Sequence, residues 1–479
     1  MLLSLVSDPQ LRYPDAARGF SPDTRYPEYR WDQVSTEPNQ VYAAVRQCFA
    51  QAGLDAERFG GPEWNPLGSF IRPGQSVFVL CNFVYHRRPR ESTAAFFAKC
   101  THASVVRAVI DYVLIAVGSG GRVRWGNAPV QSCNWGAVLA ETGAAAVDAF
   151  YRARRLPAEV MDLRMQIAER DAFGFVATDV RRDAASHTRS VDLGGGSLLE
   201  ERTGRNARFR VQDYDAARTA QFHADGRHVY VVHRAILESD VVFSIPKVKT
   251  PEQVGVTCAV KGCVGAVGEK DCLAHHRFGP ATSGGDEYPS DPSGLLRAAS
   301  HLHDMVYRAS KARPGVTYLR SADHLLRRAL RRLNAGIGGA WWGNDTAWRM
   351  ALDIARIVEF CDAQGRLQQE RIRPHLALVD GVIGGEGSGP LKPSPVDSHV
   401  LFFCADPVVA DYAAAMLMGF DPLRVPHIRH AWLERASPMH RAEFHEVRVV
   451  APGVEGGLEL LRRFALEFRP PAGWRGHLG

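Results

Sequence analysis

Four lysines, three cysteines and two adjacent histidines share the stretch KVKTPEQVGVTCAVKGCVGAVGEKDCLAHHRFG, Lys247 to Gly279. Three chemistries compete for it. Zinc ligands come in pairs two to four residues apart, with a second pair about a dozen residues on. Cys258 and Cys263 do not continue into a second pair, since Cys272 has no close partner, and Lys261 and Lys270 would crowd positive charge against a cation. The thiols read better as small buried side chains between glycines. An anion cradle accounts for more of the letters. Gly255, Gly262, Gly265 and Gly268 would let backbone N–H groups approach a phosphate or carboxylate, and Lys247, Lys249, Lys261 and Lys270 would supply charge. The third chemistry is proton transfer, because histidine titrates near neutrality. Adjacent residues on an irregular segment point in different directions, so one of His275 and His276 would face a given ligand. Asp286, after Gly284-Gly285, could orient that histidine, bind substrate or close a turn. A buried lysine could also attack a carbonyl, since burial lowers its proton affinity.

Two further stretches carry acid groups. In GGAWWGNDTAWRMALDIARIVEF, Asn344, Asp345 and Thr346 are helix-capping types. Asp345, Arg349 and Asp353 then share one helix face and can pair as ions, while Trp341 and Trp342 beside the glycine-rich helix start also suit a pocket rim that attracts an anion. In VDGVIGGEGSGP, Asp380 ends a strand and five glycines surround Glu386. A glycine loop with one carboxylate at a strand end fits a catalytic or metal-binding loop. The chain has no GxSxG elbow, HExxH helix, GxxxxGK[ST] loop or GxGxxG turn opening a helix.

The elements that must position these groups alternate. GQSVFVLCNFV (Gly74 to Val84) reads as a buried strand, THASVVRAVIDYVLIAVGSGG as a helix, RVRWGNAP as a strand, and VLAETGAAAVDAFYRARR as a helix. That order signals a parallel α/β layer. Val241 to Ile245 is an apolar strand delivering Pro246, Lys247 and Lys249 at its C-terminal end, where open α/β sheets bind ligands. The fold class is therefore α/β: two α/β lobes with mainly parallel sheets, a helical insertion and an active cleft between the lobes. The predicted boundaries are an irregular arm over residues 1–35, lobes over 36–220 and 221–479, and the insertion over 295–363.

Bulk properties narrow the partners. Over 479 residues, 46% are hydrophobic and 23% charged, ordinary for a globular protein. A net charge of +6 suits a locally positive cleft for an anionic small molecule better than a nucleic-acid surface, and LLRRALRRLN (325–334) has the spacing of a solvated amphipathic helix. Nine scattered cysteines point to free thiols in a reducing compartment, with no closely spaced run for an iron–sulfur cluster. No 18-residue apolar stretch suggests a membrane span. The expected setting is cytoplasmic, and the oligomeric state stays open.

From about residue 70 to 430 the ordered motifs VFVLCNFV, GNAP, SDVVFSIPKVKT, GVTCAVKGCVGAVGEK, LAHHRFG, GGDEYP, GNDTAWRMALDIARI, VDGVIGGEGSGP and ADPVVADYAAAMLMGFDP resemble the domain-of-unknown-function family 362. The likeness is to its long stand-alone branch, found in bacterial biosynthetic gene clusters. It carries over Asn82, Lys261, Lys270, His275, His276, Asp380 and Glu386 by position. It does not carry over the family's Lys-Pro before Asn82, here Leu80-Cys81, or its Lys-Thr-His histidine, here Pro251. The combined expectation is a biosynthetic enzyme for a carboxylate- or phosphate-bearing small molecule. Lys247, Lys249, Lys270, Asn82, Asp286, Asn344, Asp345 and Arg349 would bind substrate, with His275, His276, Lys261, Asp380 and Glu386 catalytic. The alternatives are a metal-dependent oxidoreductase using Fe, Mn or Mg, and a non-catalytic metabolite-binding protein.

Overall fold

A computed structural model describes residues 1–15, 17–170, 176–204, 208–211, 216–308, 315, 318, 319, 322, 323, 325, 326, 329, 330, 337–433, 439 and 443–479. Ten strands form its central sheet. In chain order they are β1 (Leu2–Ser7), β2 (Ser76–Cys81), β3 (Arg122–Asn127), β4 (Ala158–Asp162) and β5 (Val241–Ile245). Then come β6 (Lys247–Pro251), β7 (His375–Gly389), β8 (Ser394–Cys404), β9 (Arg448–Ala451) and β10 (Val454–Gly456). Across the sheet the order is β10-β9-β1-β8-β7-β5-β2-β3-β4, and β6 pairs with β7 beyond the end of β5. From β4 to β7 every pairing is parallel, as is that of β1 with β9, while β8 and β10 run against their neighbours. The sheet is mixed and mainly parallel, as expected.

The apolar runs explain the layering. Parallel strands covered on both faces read as continuous hydrophobic stretches, and β2 (SVFVLC) and β5 (VVFSI) are such stretches. Val77, Val79 and Cys81 face a core shared with α1 (Gln40–Gln51) and α2 (Ala103–Val117). Phe78 and Leu80 face the opposite core, with α3 (Ala347–Phe360). Farther along that face, Leu3, Leu5, Val379 and Phe402 pack with α4 (Pro407–Leu417).

Two expectations need correction, and a third falls partly outside the described residues. Residues 1–35 are not wholly irregular: LLSLVS enters the sheet between β8 and β9, because its apolar side chains bury on both faces. Both predicted lobes feed one sheet, since β5 hydrogen-bonds directly to β2. Within 295–363, helices cover Gly294–Arg308 and Ala347–Phe360, whereas the basic run 325–334 lies largely outside the described residues. Among the described residues, no helix is long and apolar enough to cross a membrane.

The topology marks one place above the rest. From β2 the chain moves outward to β3 and β4, then returns to the other flank of β2 as β5. Open α/β sheets bind ligands beyond the carboxyl ends of strands at such a reversal. Here those ends are Cys81-Asn82 and Ile245-Pro246-Lys247.

Candidate functional site: a lysine set at the sheet's switch point

The end of β2 is tied to the end of β5 by one hydroxyl. Thr101 Oγ1 donates to the Ile245 carbonyl at 2.8 Å and accepts from the Asn82 N–H at 3.2 Å. Asn82 then presents its side-chain oxygen to the ammonium of Lys249, which also donates to the Lys99 carbonyl at 3.0 Å. Gly385, the partner of Lys249 in the β6–β7 pairing, lies against the chain just before Lys99. A Cβ there would lie 2.5 Å from the Ala98 carbonyl oxygen. Both acceptors of Lys249 are uncharged. Burial pushes its proton affinity down to about 7; Cys100 opposes this, and the charges of Lys261, Lys247 and Lys99 add to it.

Lys247, two residues earlier, is held differently. Its ammonium donates to Tyr13 Oη at 2.8 Å and pairs with Asp380 at 3.2 Å, all within the interior. Tyr13 donates to Asp380 at 2.6 Å, and the His102 N–H donates to the other carboxylate oxygen at 3.1 Å. The ring of His102 stacks on Tyr13 with centroids 4.2 Å apart. Its Nδ1 accepts from the Ser104 N–H at 3.1 Å to cap α2, so the ring proton sits on Nε2. Burial and the nearby Lys247 hold that ring neutral, down to about 3.

Lys261 closes a short helix, Ala259–Gly262, whose first two N–H groups donate to Asp411 of α4. Among the described residues its ammonium makes no hydrogen bond or ion pair, and burial lowers it to about 8. Its charge reaches both Lys249 and His275. Lys270, buried and lowered to about 7, donates to the Val264 carbonyl at 3.2 Å. His275 Nδ1 donates to the Leu273 carbonyl at 2.7 Å, which leaves the lone pair on Nε2. Burial, then Lys261 and Lys270, hold that ring neutral, down to about 4. Lys249, Lys261, Lys270 and His275 thus form one electrostatically linked set, in which burial is the largest influence on each group's protonation.

The remaining expected site residues are engaged by protein partners. The cradle is the first correction: the N–H groups of Gly255, Gly262 and Gly268 donate to the Pro251, Cys258 and Val231 carbonyls and are not free for an anion. Gly268 is needed because a Cβ would lie 2.9 Å from the Leu163 carbonyl. Asp380 and Glu386 sit within the single strand β7 rather than on a loop, and its glycines admit neighbouring chain such as the Thr250 carbonyl beside Gly389. Glu386 accepts from the Arg469 N–H at 2.7 Å and pairs with that guanidinium. Asp286 accepts from Thr346 Oγ1 at 2.6 Å, the Asp345 N–H at 3.2 Å and Arg277. Asn344 accepts from the Thr346 and Ala347 N–H groups at the start of α3 and donates to the His275 and Gly339 carbonyls. Asp345 pairs with Arg349 at 3.0 Å, the expected ion pair on one helix face, while Asp353 instead accepts from Ser197 and Tyr230. His276 lies in a two-residue pairing with Arg210, its Cβ against Gly339. All nine cysteines are buried thiols. Among the described residues, no three His, Cys, Asp or Glu side chains form a metal-ligand group, so Asp286, Asp380, Glu386 and the histidines are not brought together.

Sequence reasoning missed Tyr13, Lys99, Thr101 and His102. Thr101 and His102 open the helical THASVV segment, which drew notice only for its periodicity. Nothing local marks Tyr13. Residues 196–416 match the family model described as Domain of unknown function (DUF362), and no curated protein matches the chain. The matched segment contains all four lysines, His275 and Asp380, whereas their partners Tyr13, Asn82, Lys99 and His102 precede it.

Proposed function

We propose that this chain, whose DUF362 segment supplies every lysine of the set, is a small-molecule biosynthetic enzyme. Its substrate bears a carboxylate or phosphate that docks at Lys261 beside Lys249, Lys270 and His275. The observation that carries this reading is Lys261: a partly buried ammonium without a polar partner among the described residues, whose charge reaches Lys249 and His275, with Lys270 also acting on His275. Buried cations are ordinarily paired, and an anionic ligand would complete this set. The location, beyond the ends of β2 and β5, supports the same reading. His275, neutral with its lone pair on Nε2, is suited to accept a proton from the bound molecule. Asp380 holds Lys247 in an ion pair at 3.2 Å and opposes the lowering of its proton affinity by burial.

Calorimetric titration with pyrophosphate and with citrate at low salt tests the binding step. The parent protein is expected to bind one of the two. Lys261→Met should weaken that binding about tenfold or more, the equivalent of roughly 1.4 kcal/mol. His275→Asn should retain affinity and lose turnover once a substrate is known. Absence of binding by the parent, or unchanged affinity in Lys261→Met, overturns the reading.

A further inference from the structure

Lys249 differs from its neighbours in how its nitrogen is held. Two of the three positions around Nζ are taken by uncharged acceptors, the Asn82 side-chain oxygen and the Lys99 carbonyl. A neutral amine has two hydrogens, and here both have a place to go, leaving the lone pair to the third position. An ammonium in the same seat would have a surplus proton and no carboxylate. The seat is also rigid. The Lys249 main chain pairs with Gly385 on one side and accepts from the Thr257 N–H at 2.9 Å on the other. Asn82 is fixed through Thr101 to Ile245. Lys247, anchored by Asp380 and Tyr13, stands two residues away, and its charge and that of Lys261 both lower the proton affinity of Lys249. A desolvated lysine beside another cation is the arrangement that turns an amine into a nucleophile at neutral pH. Its lowered proton affinity, about 7, agrees with that geometry.

We infer that Lys249 is a covalent catalytic residue, which forms an imine with a ketone or aldehyde carbon of an anionic substrate while Lys261 holds the anionic group. The inference rests on the anion-binding reading above and adds the electrophile. In the step, the Nζ lone pair forms a bond to the carbonyl carbon as the C=O π pair moves to oxygen. The nitrogen then gives up both its hydrogens to that oxygen in turn, and the oxygen departs as water while the nitrogen lone pair closes the C=N bond. Lysine and carbonyl compound become imine and water, with no oxidant or metal consumed. Asn82 and the Lys99 carbonyl act as positioning groups, holding the amine before attack.

Pyridoxal 5′-phosphate, an aldehyde carrying a phosphate, is a suitable probe. The full chain is incubated with it at pH 7.5, reduced with borohydride, digested and mapped by mass spectrometry, with pyrophosphate titrated in parallel. The expected result is a reduced adduct on Lys249 in preference to the surface lysines, suppressed by pyrophosphate and absent in Lys249→Met. Asn82→Ala, which frees one N–H of the amine, should slow the labelling of Lys249 severalfold. Pyrophosphate binding with no adduct on Lys249, or with the adduct on Lys261 or Lys270 instead, overturns the imine assignment and leaves anion binding intact. Failure of both pyrophosphate binding and labelling overturns the two readings together. Because mapping is done on the parent protein, the test does not depend on a variant folding.

Discussion

Tyr13 and Asp380, 367 positions apart in the chain, share a 2.6 Å hydrogen bond inside the protein. The same hydroxyl accepts from Lys247, so the N-terminal segment completes the carboxylate–ammonium pair at the end of β5. Tyr13→Phe removes a donor from Asp380 and an acceptor from Lys247 at once. Leaving buried polar groups short of a partner costs about 1–3 kcal/mol. Urea unfolding should show a loss of that size, and limited proteolysis should cut the first fifteen residues faster than in the parent.

Asp380 is the counter-charge that lets Lys247 stay buried. Asp380→Asn strands the ammonium, and removing one member of a buried ion pair costs about 3–5 kcal/mol. Lys247→Met added to Asp380→Asn takes away the stranded charge. The double variant should therefore be more stable than Asp380→Asn alone in the same unfolding experiment. Equal stability of the two would mean that Lys247 is not the group Asp380 compensates.

How much of this was legible follows from where each signal lies. The apolar run VVFSI followed by Pro-Lys-Val-Lys announces a parallel strand with cations at its end, and the structure has that strand and those cations. Lys261, Lys270 and His275 stand out locally too, through the glycine- and lysine-rich segment and the adjacent histidines. The VDGVIGGEGSGP glycines were misread because composition does not distinguish a loop from a strand that needs bare backbone against its neighbours. Asn344 and Asp286 looked like pocket groups because the residue types that cap helices also bind ligands; only their partners decide. Tyr13, Lys99 and His102 act through contacts made across the sheet, and no period or spacing in the sequence encodes which distant residues will meet there.

Asp286 gives a sharp contrast between a structural and a chemical carboxylate. Its oxygens are engaged by Thr346, the Asp345 N–H and Arg277, which join the His276–Arg277 segment to the start of α3. Asp286→Asn should lower the thermal midpoint by several degrees, as a loss of about 1–3 kcal/mol does. Pyrophosphate affinity, measured below that midpoint, should stay within about twofold, under 0.5 kcal/mol. A large loss of affinity with unchanged stability would return Asp286 to the substrate-binding groups.

Protonation of the lysine set should be visible in the stability of the whole protein. Lys249 and Lys270 stand at about 7 and Lys261 at about 8 in the folded chain, against about 10.4 for an unfolded lysine. Above pH 7 the unfolded chain therefore binds more protons than the folded one, and stability rises with pH. Asp271, pushed up to about 7 by burial and Glu269, opposes this below pH 7 and no longer contributes to the slope well above it. His275 at about 4 and His102 at about 3 lie below the usual value near 6.5, so their contribution is complete above about pH 6.5 and is lost as the pH falls from there toward 4. Buried thiols such as Cys48 and Cys272, pushed up to about 12, reverse the trend once unfolded thiols ionise above about pH 8.5. The window between pH 7 and 8.5 isolates the amines. Urea midpoints should climb across it, each amine adding up to about 1.4 kcal/mol per pH unit. Lys249→Met and Lys270→Met should each flatten the climb, whereas a slope unchanged by both would show that these amines stay protonated in the folded protein.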